Sequence, residues 1–408
     1  MNLLNEIAQH HPGAVSFAAG RPYEGFFALE DVHRYLDTFC EHLAADRGLS
    51  DEEVRRTLFQ YGRTNGVIND LVAAHLAVDE GIDADPESIV VTVGCQEAMF
   101  LVLRALRRDE RDVALAISPT YVGFGGAAQL ADMRVLPVRS GPEGIDLADL
   151  AAVAGFARHA GFRPRACYLI PDFANPLGVS LSLQQRRRLL EAAAELDILL
   201  LEDNPYGLFP AAGERLPTLK SLDTGRRVVY FGSFAKTVLP GARVGYVVAD
   251  QPVLGPDCRL GVLADELSKI KSMLTVNTSP VAQAVVAGRL LEHGGSLVAA
   301  NVRESALYAR NLGLVLDGLA RRFPAEARTG VSWNAPDGGF FVVVTVPFAT
   351  TDALLEESAR RYGVLWTPMH HFYTSREATC QLRLAGSLLE PEQIDEGLDR
   401  LAAFIRAQ

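Results

Sequence analysis

The sequence predicts an α/β fold on a mostly parallel sheet, followed by a smaller α+β unit. Three observations predict it. Six short apolar runs recur through the middle of the chain, at residues 89–93, 113–117, 166–170, 198–201, 228–231 and 244–249. Each is rich in Val, Ile or Leu and stops at polar, Gly or Pro residues, as strands buried on both faces do. Helical patterns separate the runs, and strands alternating with helices build a parallel sheet. Beyond about residue 295 the alternation ends. A long helical stretch (301–319), a strand pair (340–346 and 381–385) and a last helix (391–407) follow.

The first fifty residues fit neither pattern. They are expected to cover the smaller unit and the site, or to cross to a partner subunit. Boundaries near residues 55 and 295 divide the chain into 1–54, 55–294 and 295–408. Residues 96–106 are apolar around most of a helix and so predict a buried one. Ser182-Leu183-Gln184-Gln185 reads as a capping box ahead of a helix over 186–196. Arg186-Arg187-Arg188, between leucines at helical spacing, reads as a solvated helix face.

Composition excludes several classes. The 408 residues are 49% hydrophobic and 22% charged, enough to bury a large core and too apolar for a disordered chain. A formal net charge of −11 argues against nucleic acid as a partner. Cys40, Cys95, Cys167, Cys258 and Cys380 are scattered, with no CxxC pair. They predict neither a disulfide framework nor a metal site. His370 and His371 have no ligand companions at metal-binding spacing, so they are expected in a loop at the pocket mouth. The N-terminus lacks a signal-peptide pattern, and no apolar run reaches the ~18 residues of a membrane span. A cytoplasmic location with no membrane partner is the expectation.

In α/β sheets, ligands bind beyond the carboxyl ends of the strands. The first run is followed by Gly94-Cys95-Gln96 and a helix start, a place for an anion on backbone N–H groups. The second leads to Tyr121, the third to Asn175, the fourth to Asp203 and Tyr206. The fifth leads to Ser233, Lys236 and Arg243. Lys amines form Schiff bases with aldehydes. Arg243, Ser233 and the Gly94 turn could take a phosphate. Buried Asp203 could keep a pyridine nitrogen protonated, which makes the ring an electron sink. Tyr121 could stack on that ring, and Asn175 and Tyr206 could donate to a ring oxygen.

Together these residues resemble a known family. Ser233-Phe234-Ala235-Lys236 with Pro240-Gly241-Ala242-Arg243 resembles the lysine signature of the fold-type I aminotransferases, classes I and II. Asn175-Pro176-Leu177-Gly178 is similar to that family's NPxG motif, and Asp203 to Tyr206 to its D-x-x-Y motif. Leu382-Arg383-Leu384 resembles the strand bearing its substrate-carboxylate arginine. Gln60-Tyr61-Gly62 resembles the segment whose Tyr reaches the neighbouring subunit's phosphate. The resemblance runs from about residue 15 to the C-terminus. It implies a mixed seven-stranded sheet in a large cofactor domain and pyridoxal 5′-phosphate bound to Lys236. It also implies a homodimer, and amino-acid and 2-oxo-acid substrates. Ser16-Phe17-Ala18-Ala19-Gly20-Arg21-Pro22 resembles the segment that lies over the substrate in 2-aminoadipate and kynurenine aminotransferases. This gives Gly20 and Arg21 substrate roles beside Asn175 and Arg383. Leu3-Leu4-Asn5-Glu6 and Tyr23-Glu24-Gly25-Phe26-Phe27 are similar to 3,5-dihydroxyphenylglycine aminotransferases of antibiotic pathways.

The chain departs from the family at three places. Ala235 replaces a common Ser or Thr before the lysine, and Ala385 replaces a common Asn after the arginine. Met369-His370-His371-Phe372-Tyr373 stands where small residues are common. Transamination of an aromatic or aminoadipate-like acid is the expected reaction. A lyase, decarboxylase or oxidase reaction on the same scaffold remains the alternative. A regulator is disfavoured, because the aminotransferase-like segment begins by Ser16 and leaves no room ahead of it for a DNA-binding module.

Overall fold

The computed structural model describes residues 7, 9–140, 144–254, 260–327, 329–375 and 377–408. Leu3 to Glu6 and Cys258 lie outside them. The apolar runs form one sheet. Its strands in chain order are β1 (Ile89–Thr92), β2 (Asp112–Ser118), β3 (Arg134–Arg139), β4 (Arg163–Leu169), β5 (Leu199–Asp203), β6 (Val228–Ser233) and β7 (Gly245–Val248). They lie in the order β1-β7-β6-β5-β4-β2-β3. Strand β7 runs antiparallel to β1 and β6, and every other pairing is parallel. The carboxyl ends of β1, β2, β4, β5 and β6 therefore open on one edge, which is where the expected site residues sit.

Six of the strands coincide with the six apolar runs. The seventh, β3, has no counterpart among them. It is an edge strand, paired with β2, and reads Arg-Val-Leu-Pro-Val-Arg with only Val138 buried. Edge strands tolerate proline and charge because one side of their ladder has no partner. A search for apolar runs passes over such a strand.

The helix predicted over 96–106 begins earlier, as Gly94–Leu106 directly after β1. Ser182 caps Leu183–Glu195 by accepting from the Gln185 N–H at 3.2 Å. The reading of Arg186 is corrected. Arg187 and Arg188 are exposed, but Arg186 is 0% exposed. Its guanidinium donates to the Leu181 and Pro217 carbonyls at 3.1 and 3.0 Å and pairs with Asp172. Helical spacing turned one arginine of the three inward, where it holds the loop after β4.

A second sheet, of four strands, joins Ser332–Trp333, Phe341–Thr350, Thr379–Ala385 and Thr367–Pro368 in that order, all antiparallel. Arg383 sits opposite both Val343 and Thr367. Phe17, Trp366, Leu382, Leu384 and Phe404 fill the core beneath it. The N-terminal residues divide between the two sheets. Val15–Ser16 pairs in parallel with Val364–Leu365 beside the smaller sheet. The helix Leu29–Ala45 instead lies on Pro280–Glu292. There a Cβ on Gly288 would stand 2.0 Å from the Tyr35 carbonyl oxygen, so glycine lets the two helices touch. Among the described residues no helix is long and apolar enough to cross a membrane.

Removing one partner of a buried ion pair strands the other charge, which costs about 3–5 kcal/mol. Arg186→Ala should therefore lower unfolding free energy in urea by about that amount. Arg187→Ala should change it by less than about 0.5 kcal/mol. Equal effects from the two would contradict the buried assignment.

Candidate active site

The lysines occupy positions 220, 236, 269 and 271. Lys220 pairs with Asp250, Lys269 with Glu266 and Lys271 with Glu97. Lys236 differs. Its Nζ donates to the Gly20 carbonyl at 2.8 Å and lies 5.9 Å from the centre of the Phe340 ring. Burial, helped by the charges of Arg21, Arg383 and Arg243, pushes its amine down to about 8. A low-lying amine is the nucleophilic form that an aldehyde needs.

Asp203 closes β5 and is 4% exposed. Desolvation lifts its carboxyl to about 7, opposed by a 2.6 Å hydrogen bond that the Tyr168 hydroxyl donates to Oδ2. A carboxylate held this way is a receptor for a cation. Tyr121 stands at the start of the helix Val122–Leu130. Burial, then the charge of Asp203, raises its phenol to about 12. Tyr206 is buried near Tyr121 and Asp203, and its hydroxyl bonds the Asn175 side chain. Asn175 in turn accepts from Arg383 Nη1.

Arg383 is buried, whereas Arg21 and Arg243 are exposed. Its Nη2 donates to the Ala18 carbonyl at 2.8 Å and to Thr367 Oγ1 at 3.3 Å. Phe341 and Phe372 lie 4.3 and 4.9 Å from its guanidinium carbon. Desolvation brings it down to about 10, an unusual value for arginine. One side chain thus joins the smaller sheet, the loop after β4 and the N-terminal segment. That segment packs tightly, since a Cβ on Gly20 would meet the Phe341 ring at 2.4 Å. Arg21 is exposed, and its carbonyl accepts from Ser387 Oγ at 2.6 Å.

The expected anion cup also comes together. Gly94 has φ +71°, and a Cβ there would stand 2.5 Å from Arg243 Nη2. Glycine therefore lets the guanidinium lie on the first turn of the helix. Gln96 Nε2 donates to the Gly123 carbonyl at 2.6 Å, tying this turn to the segment after Tyr121. The Cys95 thiol donates to the Gly232 carbonyl at 3.0 Å and is pushed well up by burial, which suits packing and not attack. Ser233 Oγ accepts from the Ala235 N–H at 3.3 Å. Tyr61 stands apart from these residues on the same chain and is 85% exposed.

The histidine pair is corrected. His370 and His371 lie on a short 3-10 turn, Met369–Phe372, and they do have a companion. Asp352 Oδ1 is 2.7 Å from His371 Nε2 and 3.4 Å from His370 Nε2. The partner is eighteen residues upstream of the pair, beyond the reach of spacing arguments. Sequence reasoning also missed Tyr168 and Phe341, which read as ordinary strand residues, and Thr367, and it noted Phe372 only as part of the unusual Met369–Tyr373 turn.

The residues present fit pyridoxal 5′-phosphate. Among the described residues the buried Asp203 carboxyl has no ion-pair partner, and a protonated ring nitrogen would be one. The Gly94–Arg243 cradle suits a phosphate, and the low-lying Lys236 amine suits the aldehyde. Comparison with known proteins agrees. Residues 40–401 match the family model described as Aminotransferase class I and II. The chain is 59% identical, over all 408 residues and 91% of the relative, to (S)-3,5-dihydroxyphenylglycine transaminase of Amycolatopsis orientalis. It is 31% identical to 2-aminoadipate transaminase of Thermus thermophilus, covering 97% of this chain and 91% of that one. Among solved structures it is similar to the Pyrococcus horikoshii kynurenine aminotransferase in complex with PMP. The TM-score is 0.83 at 27% identity, over 100% of this chain and 93% of the other.

The neutral fraction of the Lys236 amine rises with pH through its pKa, near 8 here and not near the ordinary 10.5. Labelling of the cofactor-free protein by an amine-reactive aldehyde should contain a phase with midpoint near pH 8. Lys236→Met should remove that phase. A midpoint two units higher would contradict the buried placement of the amine.

Proposed function

The chain belongs to the class I and II aminotransferases, and we propose that it transfers the amino group of an arylglycine or related aromatic amino acid, with Lys236 as the acid–base group. The cofactor is pyridoxal 5′-phosphate, which when bound supplies the electron sink that lets a proton leave the substrate Cα. The observation that carries the reading is Lys236 itself. It is half-buried, held by a carbonyl, and surrounded by guanidiniums where the other lysines face carboxylates. Its amine accepts the Cα proton and returns it to the cofactor side, acting as base and then acid. Asp203 would hold the ring nitrogen protonated, Asn175 and Tyr206 would donate to the ring oxygen, and Tyr121 would stack on the ring. Gly94, Cys95, Gln96, Ser233 and Arg243 form the phosphate cup. Arg383 takes the substrate carboxylate in a bidentate fork, and its two phenylalanines keep water from competing.

The substrate class rests on two supports. The high identity to a 3,5-dihydroxyphenylglycine transaminase is one. The other is an aromatic wall of Phe340, Phe341 and Phe372 beside Lys236 and Arg383. An arylglycine carries its ring directly on Cα, so the ring must lie close to both groups. The partner 2-oxo acid is then an arylglyoxylate, and a role in specialised, antibiotic-related amino-acid synthesis follows. The aminoadipate-type relative supports a second reading, in which Arg21 meets an acidic side chain.

A half-reaction screen decides between them. Each amino acid is mixed with the cofactor-loaded enzyme, and loss of the visible cofactor band is followed. (S)-3,5-dihydroxyphenylglycine and other arylglycines should react fastest, leaving pyridoxamine phosphate. Release of CO₂, ammonia or peroxide as the main outcome would overturn transamination. Lys236→Ala should slow the proton-transfer step by about 10²–10⁴-fold.

We also propose a homodimer with Tyr61 serving the neighbouring subunit's phosphate. Phe59, Tyr61 and Met273 are 70%, 85% and 88% exposed, an unusual display of large apolar side chains. Tyr61 also lines an open groove with His42, Arg47 and Arg63. Sedimentation should give twice the chain mass, and Tyr61→Phe should weaken cofactor binding without dissociating the dimer. A monomer with full activity would refute this.

A further inference from the structure

Tyr168 is the sixth residue of β4 and stands opposite Leu201 of β5 in the parallel register. Side chains two apart along a strand share a face, so Tyr168, Leu201 and Asp203 project to the same side of the sheet. The Tyr168 ring is 1% exposed and stacks on Phe124, with centroids 4.0 Å apart and planes 9° from parallel. That stack leaves the hydroxyl one direction to point. It donates to Asp203 Oδ2 at 2.6 Å, with donor and acceptor both buried. The ring also lines the cavity shared by Tyr121 and Asn175, next to the position argued for the cofactor.

We propose that Tyr168 is a positioning residue for Asp203, and that it sets the protonation of the cofactor's ring nitrogen through that carboxylate. The inference rests on the reading that Asp203 meets the ring nitrogen. A carboxylate has two oxygens. Tyr168 engages Oδ2, which leaves Oδ1 to accept the ring N–H and fixes the plane in which it does so. The phenol is a donor in this bond, so it favours the ionised carboxylate over the protonated one. An ionised Asp203 in turn favours a protonated ring. A charge-assisted hydrogen bond in a buried site is strong enough for its loss to be felt at the next atom.

The test uses pyridoxal phosphate labelled with ¹⁵N in the ring. The wild-type protein, Y168F, D203N and the double variant are each loaded with it, and the ring ¹⁵N chemical shift is measured. Cofactor affinity of each cofactor-free protein is measured alongside. Phenylalanine keeps the stack on Phe124, so Y168F should melt close to wild type. D203N should move the shift to the unprotonated value. Y168F should move it part of the way and weaken cofactor binding about tenfold. In the D203N background Y168F should add nothing further, because the two residues act in series. If D203N changes both readouts and Y168F changes neither, the Tyr168 proposal fails while the site reading stands. If Y168F weakens binding equally in both backgrounds, Tyr168 is only packing and the proposal also fails. If D203N changes neither readout, the Asp203 reading fails first. Should Y168F not fold, Phe124→Leu loosens the ring but keeps the hydroxyl. It should move the shift in the same direction by less, and no movement would overturn the proposal.

Discussion

The site depends on charges that are buried before anything binds them. Lys236 and Asp203 at the edge of the central sheet, and Arg383 on the smaller one, lie in surroundings that disfavour their ionised forms, and each is displaced toward neutrality. Burying a charge without its partner is expensive, so a fold that does this at three positions must hold them by other means. It does so with neutral dipoles. Lys236 rests on the Gly20 carbonyl, Asp203 on the Tyr168 hydroxyl, and Arg383 on the Ala18 carbonyl and the Asn175 and Thr367 oxygens. These bonds satisfy only part of the hydrogen-bonding capacity, since Arg383 Nε has no partner among the described residues, and they leave the electrostatic demand open. A phosphate, a ring nitrogen and a substrate carboxylate can meet that demand.

The constraint explains the architecture around the site. Arg383 makes bonds into the loop after β4, the N-terminal segment and its own sheet, so both sheets must keep their relative placement for it to stay solvated by dipoles. The loop after β4 is itself fixed by the inward-turned Arg186, which grips Asp172 three residues before Asn175. The N-terminal segment is fixed by the fit of Gly20 on Phe341 and by the parallel pairing of Val15–Ser16 with Val364–Leu365.

The strand ends were legible in the sequence because parallel strands buried on both faces leave a plain apolar signal. The polar residue that follows each strand then falls on a common edge. That logic located Gly94, Tyr121, Asn175, Asp203, Tyr206, Ser233, Lys236 and Arg243. It could not locate what acts sideways. Tyr168 lay inside a predicted strand, and only the register between β4 and β5 shows that its hydroxyl meets Asp203. Asp352 joins the histidine pair across a helix start and a turn. Arg186 differs from Arg187 and Arg188 by where the helix surface turns, which depends on packing that the triplet does not encode. Strand β3 was hidden because an edge strand needs no apolar run. Local pattern located the groups that face the ligand, and pair register and packing located the groups that hold them.

The three guanidiniums around Lys236 are not equivalent, and the difference bears on the substrate. Arg243 lies over the Gly94 turn, where a phosphate dianion would neutralise it. Arg383 is desolvated, so a bound carboxylate gains the full strength of a buried charge pair there. Arg21 is exposed, and water already screens it. A substrate with a single carboxylate and an uncharged ring therefore meets the strong buried cation and leaves the solvated one in water at little cost. A substrate with a second carboxylate draws only the weak attraction of a screened arginine. The single-carboxylate aromatic substrate proposed above would use the desolvated Arg383 and would ask nothing of Arg21.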